Sequence, residues 1–197
     1  MSRPGILLVL AGPSGVGKGT IGKRLLARDP NLVWSVSATT RQPRQGEVDG
    51  VDYRFVSRDD FEALRDAGGF LEWFDVYGQL KGTPREPVEA GLAAGRDVLL
   101  EVDVQGAMAI REQIPEALLV FLRAPTRAVQ QERLLTRDTD DEEQLARRIA
   151  QAEAEEAFAD RFDAVVVNED VDAAVEQVAA ILASRRRARD QGPDASA

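Results

Sequence analysis

The stretch that decides the fold runs Gly12-Pro13-Ser14-Gly15-Val16-Gly17-Lys18-Gly19-Thr20 and lies between an apolar run, residues 6–10, and a helical pattern over residues 18–28. It matches the pattern Gly-x4-Gly-Lys, in which glycines let successive backbone N–H groups converge on phosphate oxygens. The helix directs the positive end of its dipole at the same anion, and Lys18 reaches the β- and γ-phosphates of a nucleoside triphosphate. The alternative is a glycine-rich turn, but the position between a strand and a helix favours a phosphate-binding loop, which we call the P-loop.

One position of the P-loop departs from the common pattern. Gly19 stands where a Ser or Thr usually offers a hydroxyl to magnesium. Either Thr20 takes this place, or phosphate oxygens and water hold the ion, which suits Mg²⁺ because it keeps several waters. We therefore assign no direct metal ligand from the sequence.

Apolar runs predict the core. Four short runs, residues 6–10, 98–102, 118–122 and 165–167, do not alternate with polar residues. Continuous runs of this length are typical of strands that are buried on both faces, as in a parallel sheet. Helical patterns lie between them, and the last has apolar residues spaced near 3.6 from residue 171 to residue 182. The alternation predicts an α/β fold in which helices flank a parallel sheet.

Two stretches do not fit this core. Residues 34–83 contain shorter strand-like pieces, 52–56 and 70–74, and are predicted to form a small α+β insert. Residues 134–158 are highly charged and helical, and are either a solvated pair of surface helices or a mobile lid. We predict one domain over residues 1–190, with a disordered tail over 191–197 and a core made of residues 1–33, 84–133 and 159–190.

Composition excludes several functions. The chain has 197 residues, no cysteine and no histidine, so disulfides, thiol nucleophiles, Cys/His zinc sites and histidine bases are absent. Its net charge of −9 makes it a poor general binder of nucleic acid. The early apolar run is far shorter than the ~20 residues of a membrane-spanning helix and does not have the pattern of a secretory signal. A cytoplasmic location is the default expectation.

Further motifs follow the P-loop in order. Residues 37–47 read Ser-Ala-Thr-Thr-Arg-Gln-Pro-Arg-Gln-Gly-Glu, and are followed by Tyr53, Glu72, Gly82-Thr83 and Glu101-Val-Asp103-x-Gln-Gly106. The series, over residues 5–184, resembles the guanylate kinase family. The resemblance implies a P-loop nucleoside monophosphate kinase fold and the reaction ATP + GMP ⇌ ADP + GDP, a step in GMP recycling and in GTP and dGTP supply. It also implies Mg²⁺ with ATP, and dGMP as a further acceptor.

Two arginines share one loop of the insert. Arg41 and Arg44 flank Pro43 closely enough to converge on one phosphate, and Ser37 and Tyr53 add neutral donors. On the residues alone, a solvated basic surface is the alternative. The resemblance implies that the four side chains hold the GMP phosphate.

The resemblance makes Glu72 the reader of the base. The Watson–Crick edge of guanine offers two adjacent donors, and one carboxylate accepts both. Adenine has an acceptor at N1 and would leave the carboxylate unpaired, a mismatch that discriminates strongly. The alternative is an exposed glutamate on a strand.

Thr83 and Lys81 each allow two interpretations. The resemblance implies that the Thr83 hydroxyl bonds guanine O6, but Thr-Pro-Arg-Glu at residues 83–86 also matches a capping box with proline at the first helical position. Lys81 stands where the family usually has tyrosine, a donor to the GMP phosphate. A lysine there either binds the same phosphate or points into solvent.

Glu101 and Asp103 lie at the end of a predicted strand, where ligands bind in open α/β sheets. The resemblance implies aspartate at position 101, so the side chain is longer by one methylene. We expect one carboxylate to orient GMP or arginines and the other to lie near the magnesium waters, as Asp103 would through water. The sequence leaves open which does which.

The remaining candidates belong to the ATP side. The resemblance implies that Arg133, Arg137 and Arg148 swing onto the ATP phosphates, and the alternative is ion pairs on a helix surface. Asn168, after the last predicted strand, resembles the family's asparagine on the adenine side, and otherwise is a turn residue.

The proposed chemistry needs no histidine. A phosphate monoester has a second pKa near about 6, so the GMP phosphate is already anionic at neutral pH. Catalysis is then positioning and charge neutralisation by Lys18, Arg41, Arg137, Arg148 and Mg²⁺. The rival interpretations are another nucleoside monophosphate kinase and a non-catalytic module that binds a phosphopeptide. The oligomeric state is left open.

Overall fold

The computed structural model describes residues 3–76, 78–135, 152 and 154–191. The strands are β1 (Leu7–Ala11), β2 (Leu32–Trp34), β3 (Ala38–Thr39), β4 (Arg54–Phe55), β5 (Phe70–Val76), β6 (Gln79–Pro84), β7 (Asp97–Glu101), β8 (Leu118–Arg123) and β9 (Ala164–Val167). The helices are α1 (Lys18–Arg28), α2 (Arg58–Asp66), α3 (Arg85–Ala93), α4 (Val104–Gln113), α5 (Arg127–Leu135) and α6 (Val171–Asp190).

A five-stranded sheet with the order β2-β7-β1-β8-β9 forms the centre of the molecule. All its pairings are parallel, which confirms the predicted fold class. The four apolar runs of the sequence are β1, β7, β8 and β9, with ends that differ by at most one residue. The strand β2 was not predicted, because three residues are too few to show a pattern.

Helices cover both faces of this sheet. Along β1, Leu8 and Leu10 face the apolar residues of α1 and α6, and Leu7 and Val9 face those of α4 and α3. Every residue of β1 is buried, so it has no polar face to show to water. The spacing predicted for the last helix is found in α6, whose buried residues are Ala174, Val175, Val178 and Leu182.

A second sheet with the order β4-β3-β6-β5 lies in the stretch predicted as an insert. Its longest pair, β5 and β6, is antiparallel and pairs Glu72 with Thr83. The helix α2 packs on it through Phe61, whose ring stacks on Phe70 with 4.3 Å between centroids. Together with Ala38 and Leu80, these rings form a small separate core of the second sheet.

Part of the predicted lid and tail lies outside the described residues, including Arg137 and Arg148. Within the part of the chain that the structure describes, no helix combines the length and the hydropathy needed to cross a membrane.

Candidate active site

The P-loop connects the end of β1 to the start of α1. Helix α1 begins at Lys18 and ends at Arg28, as the sequence predicts. Gly17 is the N-cap of α1 and has a φ of 91°, a left-handed conformation that glycine adopts without steric cost. A Cβ on Gly12 would lie 2.2 Å from the carbonyl oxygen of Leu122, so only glycine fits between the loop and β8. Residues 12–19 therefore form the turn that a phosphate-binding nest requires.

Lys18 folds back over its own loop. Its Nζ donates hydrogen bonds to the carbonyl oxygens of Gly12 at 2.6 Å and Pro13 at 3.1 Å. Burial lowers the pKa of Lys18, and the carboxylates of Glu101 and Glu155 oppose this. An ammonium held by neutral carbonyls is ready to exchange them for phosphate oxygens, to which its attraction is stronger. Thr20, in the first turn of α1, is exposed.

Glu101 and Asp103 point to different parts of the site. A Cβ on Gly19 would lie 3.1 Å from Oε2 of Glu101, so this carboxylate lies against the P-loop. Asp103 caps α4, because its Oδ1 accepts a hydrogen bond from the Gly106 amide at 2.7 Å. A Cβ on Gly106 would touch both Asp103 and Oε2 of Glu72, so Asp103 lies toward the second sheet. Among the described residues, no cluster of three or more carboxylates could hold a metal ion unaided.

Glu72 and Thr83 form a buried pair across β5 and β6. The Thr83 hydroxyl donates to Oε1 of Glu72 at 2.5 Å, and the two residues are 1% and 7% exposed. Burial raises the pKa of Glu72, while the Thr83 hydroxyl and the Lys81 ammonium oppose this rise. The alternative of an exposed glutamate is therefore wrong.

The alternative interpretation of Thr83 as part of a capping box is also wrong. Helix α3 begins at Arg85, its cap is Pro84, and no side chain bonds the cap position. Thr83 belongs to β6, and its hydroxyl is used by Glu72. The Thr83 hydroxyl therefore bonds Glu72, eleven residues earlier in the sequence, and not the first turn of α3.

The side chain of Lys81 lies close to Tyr53, and its charge is felt at Glu72 and Lys18. It faces Phe74 across the hairpin and is half-buried. Its Nζ lies 5.3 Å from the centre of the Tyr53 ring, a cation–π contact. Its charge acts on both Glu72 and Lys18. The side chain therefore does not extend into bulk solvent.

The loop of residues 41–47 is held by Glu47. Both oxygens of this carboxylate accept hydrogen bonds from Arg41 at 2.8 Å, and Oε2 also accepts the Arg44 amide at 2.7 Å. The hydrogen bond from Arg41 lowers the pKa of Glu47 to about 2. Arg41 also lies 5.1 Å from the centre of the Tyr53 ring. The sequence alone assigned no role to Glu47. The only hint was its position six residues after Arg41 in the same segment.

The other side chains predicted for the GMP phosphate lie just before β3 or in the connection between β3 and β4. Arg44 is exposed, and Ser37 is half-buried with its carbonyl oxygen accepting the Arg54 amide at 2.9 Å. Arg41, Arg44 and Tyr53 all lie in the connection between β3 and β4, and the Tyr53 ring contacts both Arg41 and Lys81 of β6.

Helix α5 and the end of β9 meet the P-loop from outside. Asn168 is 2% exposed, and its Nδ2 donates to the carbonyl oxygen of Val16 at 2.8 Å. Gln130, which the sequence reasoning missed, donates to the carbonyl oxygen of Ser14 at 3.1 Å. The guanidinium of Arg133 donates to the carbonyl oxygen of Asn168 at 3.3 Å. The side-chain amides of Asn168 and Gln130 thus both contact the P-loop backbone.

The arrangement defines a class of protein. A P-loop at the carboxyl edge of a parallel sheet, opposite a small sheet with a buried carboxylate, is the site of a P-loop nucleoside monophosphate kinase. The comparisons with known proteins narrow this class to one family.

A family model described as guanylate kinase matches residues 5–185. The guanylate kinase of Synechococcus sp. (strain CC9902) is 52% identical over 178 residues, which are 90% of this chain and 95% of that protein. The guanylate kinase of Thermus thermophilus is 50% identical over 183 residues, or 93% of this chain and 83% of that protein. A crystal structure of guanylate kinase from Anaplasma phagocytophilum superposes with a TM-score of 0.77 at 32% identity, covering 98% of this chain and 89% of that one. The chain belongs to the guanylate kinase family, which confirms the resemblance found in the sequence.

Proposed function

We propose that this chain catalyses the Mg²⁺-dependent transfer of the γ-phosphoryl group of ATP to GMP, giving ADP and GDP. The observation that carries the proposal is the buried Glu72–Thr83 pair on the small sheet, within reach of the charge of Lys81, while Lys18 occupies the P-loop. The pair supplies a base reader, and the P-loop supplies a triphosphate site. Membership of the family supports the same reaction.

Guanine is recognised by Glu72 and Thr83. Oε1 of Glu72 already accepts the Thr83 hydroxyl, and a carboxylate retains lone pairs for the two donors of guanine. Because burial disfavours the charged form of Glu72, donors that satisfy the charge are bound strongly. The Thr83 hydroxyl can rotate toward guanine O6.

The GMP phosphate is held by Arg41, Arg44, Tyr53 and Ser37, with Lys81 as an additional cation. The pair of Arg41 with Glu47 sets the direction of its guanidinium before the ligand arrives. The half-buried Lys81 ammonium, above the Tyr53 ring, adds a full charge where the family usually has a neutral tyrosine.

The ATP phosphates are held by the P-loop, with Lys18 and with Arg133, Arg137 and Arg148 of the region around the lid. Mg²⁺ bound with ATP supplies further neutralisation of the phosphate charge. The residues fit this ion, because the Glu101 carboxylate lies against Gly19, where the common pattern has a hydroxyl. We assign Glu101 to the waters of magnesium and Asp103 to the GMP side.

The transfer itself requires no general base. An oxygen of the GMP phosphate is already anionic at neutral pH and attacks the γ-phosphorus in line, while ADP leaves. Lys18 and the arginines neutralise charge on the equatorial oxygens. Residues 34–83 act as the GMP-binding insert and residues 134–158 as the lid that excludes water over the core.

The test is a coupled assay of ADP release with ATP and a panel of monophosphates: GMP, dGMP, AMP and UMP. We expect kcat/KM for GMP to exceed that for AMP by at least about a thousandfold, because a buried carboxylate rejects the adenine edge. Preference for another monophosphate would overturn the assignment. Phosphopeptide binding without any turnover would identify the non-catalytic module instead.

A further inference from the structure

Two carbonyl oxygens of the P-loop are held by side chains from elsewhere in the fold. The Val16 carbonyl accepts Nδ2 of Asn168 at 2.8 Å, and the Ser14 carbonyl accepts Nε2 of Gln130 at 3.1 Å. The partners are separated by 152 and 116 residues in sequence. Asn168 and Gln130 are 2% and 8% exposed, so both amides are withdrawn from water.

These bonds determine where the loop's donors point. In a trans peptide the C=O of one residue and the N–H of the next point in opposite directions. The described residues contain no cis peptide bond. An amide that holds the Val16 carbonyl outward therefore turns the Gly17 N–H inward, and the bond to Ser14 does the same for Gly15. Backbone N–H groups are the donors with which such a loop binds phosphate.

The contact of Asn168 with Gly17 is also steric. A Cβ on Gly17 would lie 2.5 Å from Nδ2 of Asn168, so the amide fills the space beside this left-handed residue. Oδ1 of Asn168 is enclosed and has no hydrogen-bond partner among the described residues. The atom that would accept the adenine amino group is thus shielded, while the donor end of the amide is engaged with the loop.

From this geometry we infer that Asn168 and Gln130 are positioning residues for the triphosphate, acting through the peptide planes of the P-loop and independently of the base. The inference rests on the proposed function, since it takes the P-loop as the ATP phosphate site. It replaces the adenine-side role that the sequence suggested for Asn168.

The experiment compares ligands that share a triphosphate and differ in the base. Inorganic tripolyphosphate, ATP and CTP are titrated with Mg²⁺ by calorimetry into the wild-type chain, Asn168→Leu and Gln130→Met. Both substitutions keep the approximate shape and remove the donor. We expect affinity to fall about tenfold for Asn168→Leu and about fivefold for Gln130→Met, equally for the three ligands, which is the scale of a buried carbonyl that loses its donor. The GMP affinity should change less than about twofold.

A control separates positioning from general damage. Asn31→Leu makes the same substitution at an exposed asparagine whose Nδ2 contacts the Gly95 carbonyl oxygen at 3.4 Å, and it should leave all four affinities unchanged. Unfolding curves give the folded fraction of each variant, and Gln130→Met decides the test if Asn168→Leu does not fold.

Three outcomes overturn the inference. A loss confined to ATP would make Asn168 a base contact, unchanged tripolyphosphate affinity would show that the bonds do not position the loop, and an equal loss for GMP would indicate general damage. The proposed function fails separately, if the wild-type chain binds tripolyphosphate but does not phosphorylate GMP.

Discussion

At the scale of single residues, Glu72 is a carboxylate that the fold has removed from water before any ligand binds. It is 7% exposed, and among the described residues its Oε1 accepts a hydrogen bond from the Thr83 hydroxyl. A buried anion with spare lone pairs favours a ligand with two donors and penalises one with an acceptor. Under the proposed function, selectivity for guanine depends on the charge and the two oxygens of this side chain.

Glu72→Gln tests the selectivity. The amide keeps the shape and can still accept the Thr83 hydroxyl, but it places an NH₂ donor against a donor of guanine. We expect KM for GMP to rise about a hundredfold with KM for ATP unchanged, and the preference for GMP over AMP to narrow. Steady-state kinetics with both acceptors measure this. An unchanged GMP/AMP preference would remove Glu72 from the role.

Lys81, half-buried above the Tyr53 ring, is the additional cation that we propose for the GMP phosphate. Lys81→Ala should raise KM for GMP about tenfold at low salt, and the difference should shrink in 0.5 M salt because ions screen the lost charge. Lys81→Tyr should recover much of the loss, since it restores a neutral donor. Lys23→Ala removes the same charge from a side chain that is 76% exposed and should have no effect. Wild-type KM in Lys81→Ala at low salt would mean that the arginine loop is sufficient.

At the scale of elements, the loop of residues 41–47 is shaped by one carboxylate. Glu47 binds the Arg41 guanidinium and the Arg44 amide together, so it closes the turn and aims Arg41. A bidentate pair of this kind fixes the plane of the guanidinium as well as its position. The loop is thus ordered in advance of the phosphate.

Glu47→Gln should raise KM for GMP several-fold, because the loop loses its order and Arg41 its direction. The stability difference from wild type should depend on pH with a definite sign. The pKa of Glu47 is lowered from the ordinary 4.5 to about 2 in the folded chain, so its contribution is complete above pH 4.5 and is lost as the pH falls to about 2. Because the Arg41–Glu47 pair is near the surface, we expect it to contribute at most about 1 kcal/mol to the free energy of unfolding.

Urea unfolding of the wild-type chain and of Glu47→Gln at pH 7, 4 and 2.5 measures the difference in their free energies of unfolding. Glu62→Gln is the matched control, since it breaks the surface pair with Arg58 and should leave KM unchanged. A difference that grows as the pH falls would contradict the assignment.

Patterns over short stretches of sequence predicted the helices and strands that glycine placement and apolar runs determine. Helix α1 follows from the glycines of the P-loop, and four core strands follow from apolar runs. β2 and β3 escaped prediction, since strands of three and two residues show no periodicity. The role of Thr83 could be only half predicted, because its bond to Glu72 joins two strands that lie eleven residues apart in sequence, whereas the local pattern pointed to a helix cap. The contacts of Gln130 and Asn168 with the P-loop could not be predicted, because they join parts of the chain more than a hundred residues apart.

At the scale of the whole molecule, the carboxyl ends and the amino ends of the central strands carry different groups of side chains. The P-loop and Glu101 lie at the carboxyl ends of β1 and β7. The opposite edge carries an ion cluster around Asp97, the first residue of β7, which is fully buried. Its Oδ1 accepts the Ile6 amide at 2.7 Å, and Arg186 of α6 donates to its Oδ2 and to Asp29, the cap at the end of α1. The cluster joins the segment before β1 and the helices α1 and α6 to β7.

Asp97→Ala should therefore destabilise the fold and spare the chemistry. It leaves the Ile6 amide without its acceptor and takes one of two carboxylates from Arg186, for which we expect a loss of about 3 kcal/mol in the free energy of unfolding. KM for ATP and for GMP should stay within about twofold, because the cluster and the site are at opposite edges of the sheet. Urea unfolding and steady-state kinetics measure the two effects. Asp172→Ala breaks an exposed pair with Arg24 between α1 and α6 and should cost less than about 0.5 kcal/mol. If Asp97→Ala cost no more than Asp172→Ala, or if it changed either KM, the two edges would not be the independent parts that the structure describes.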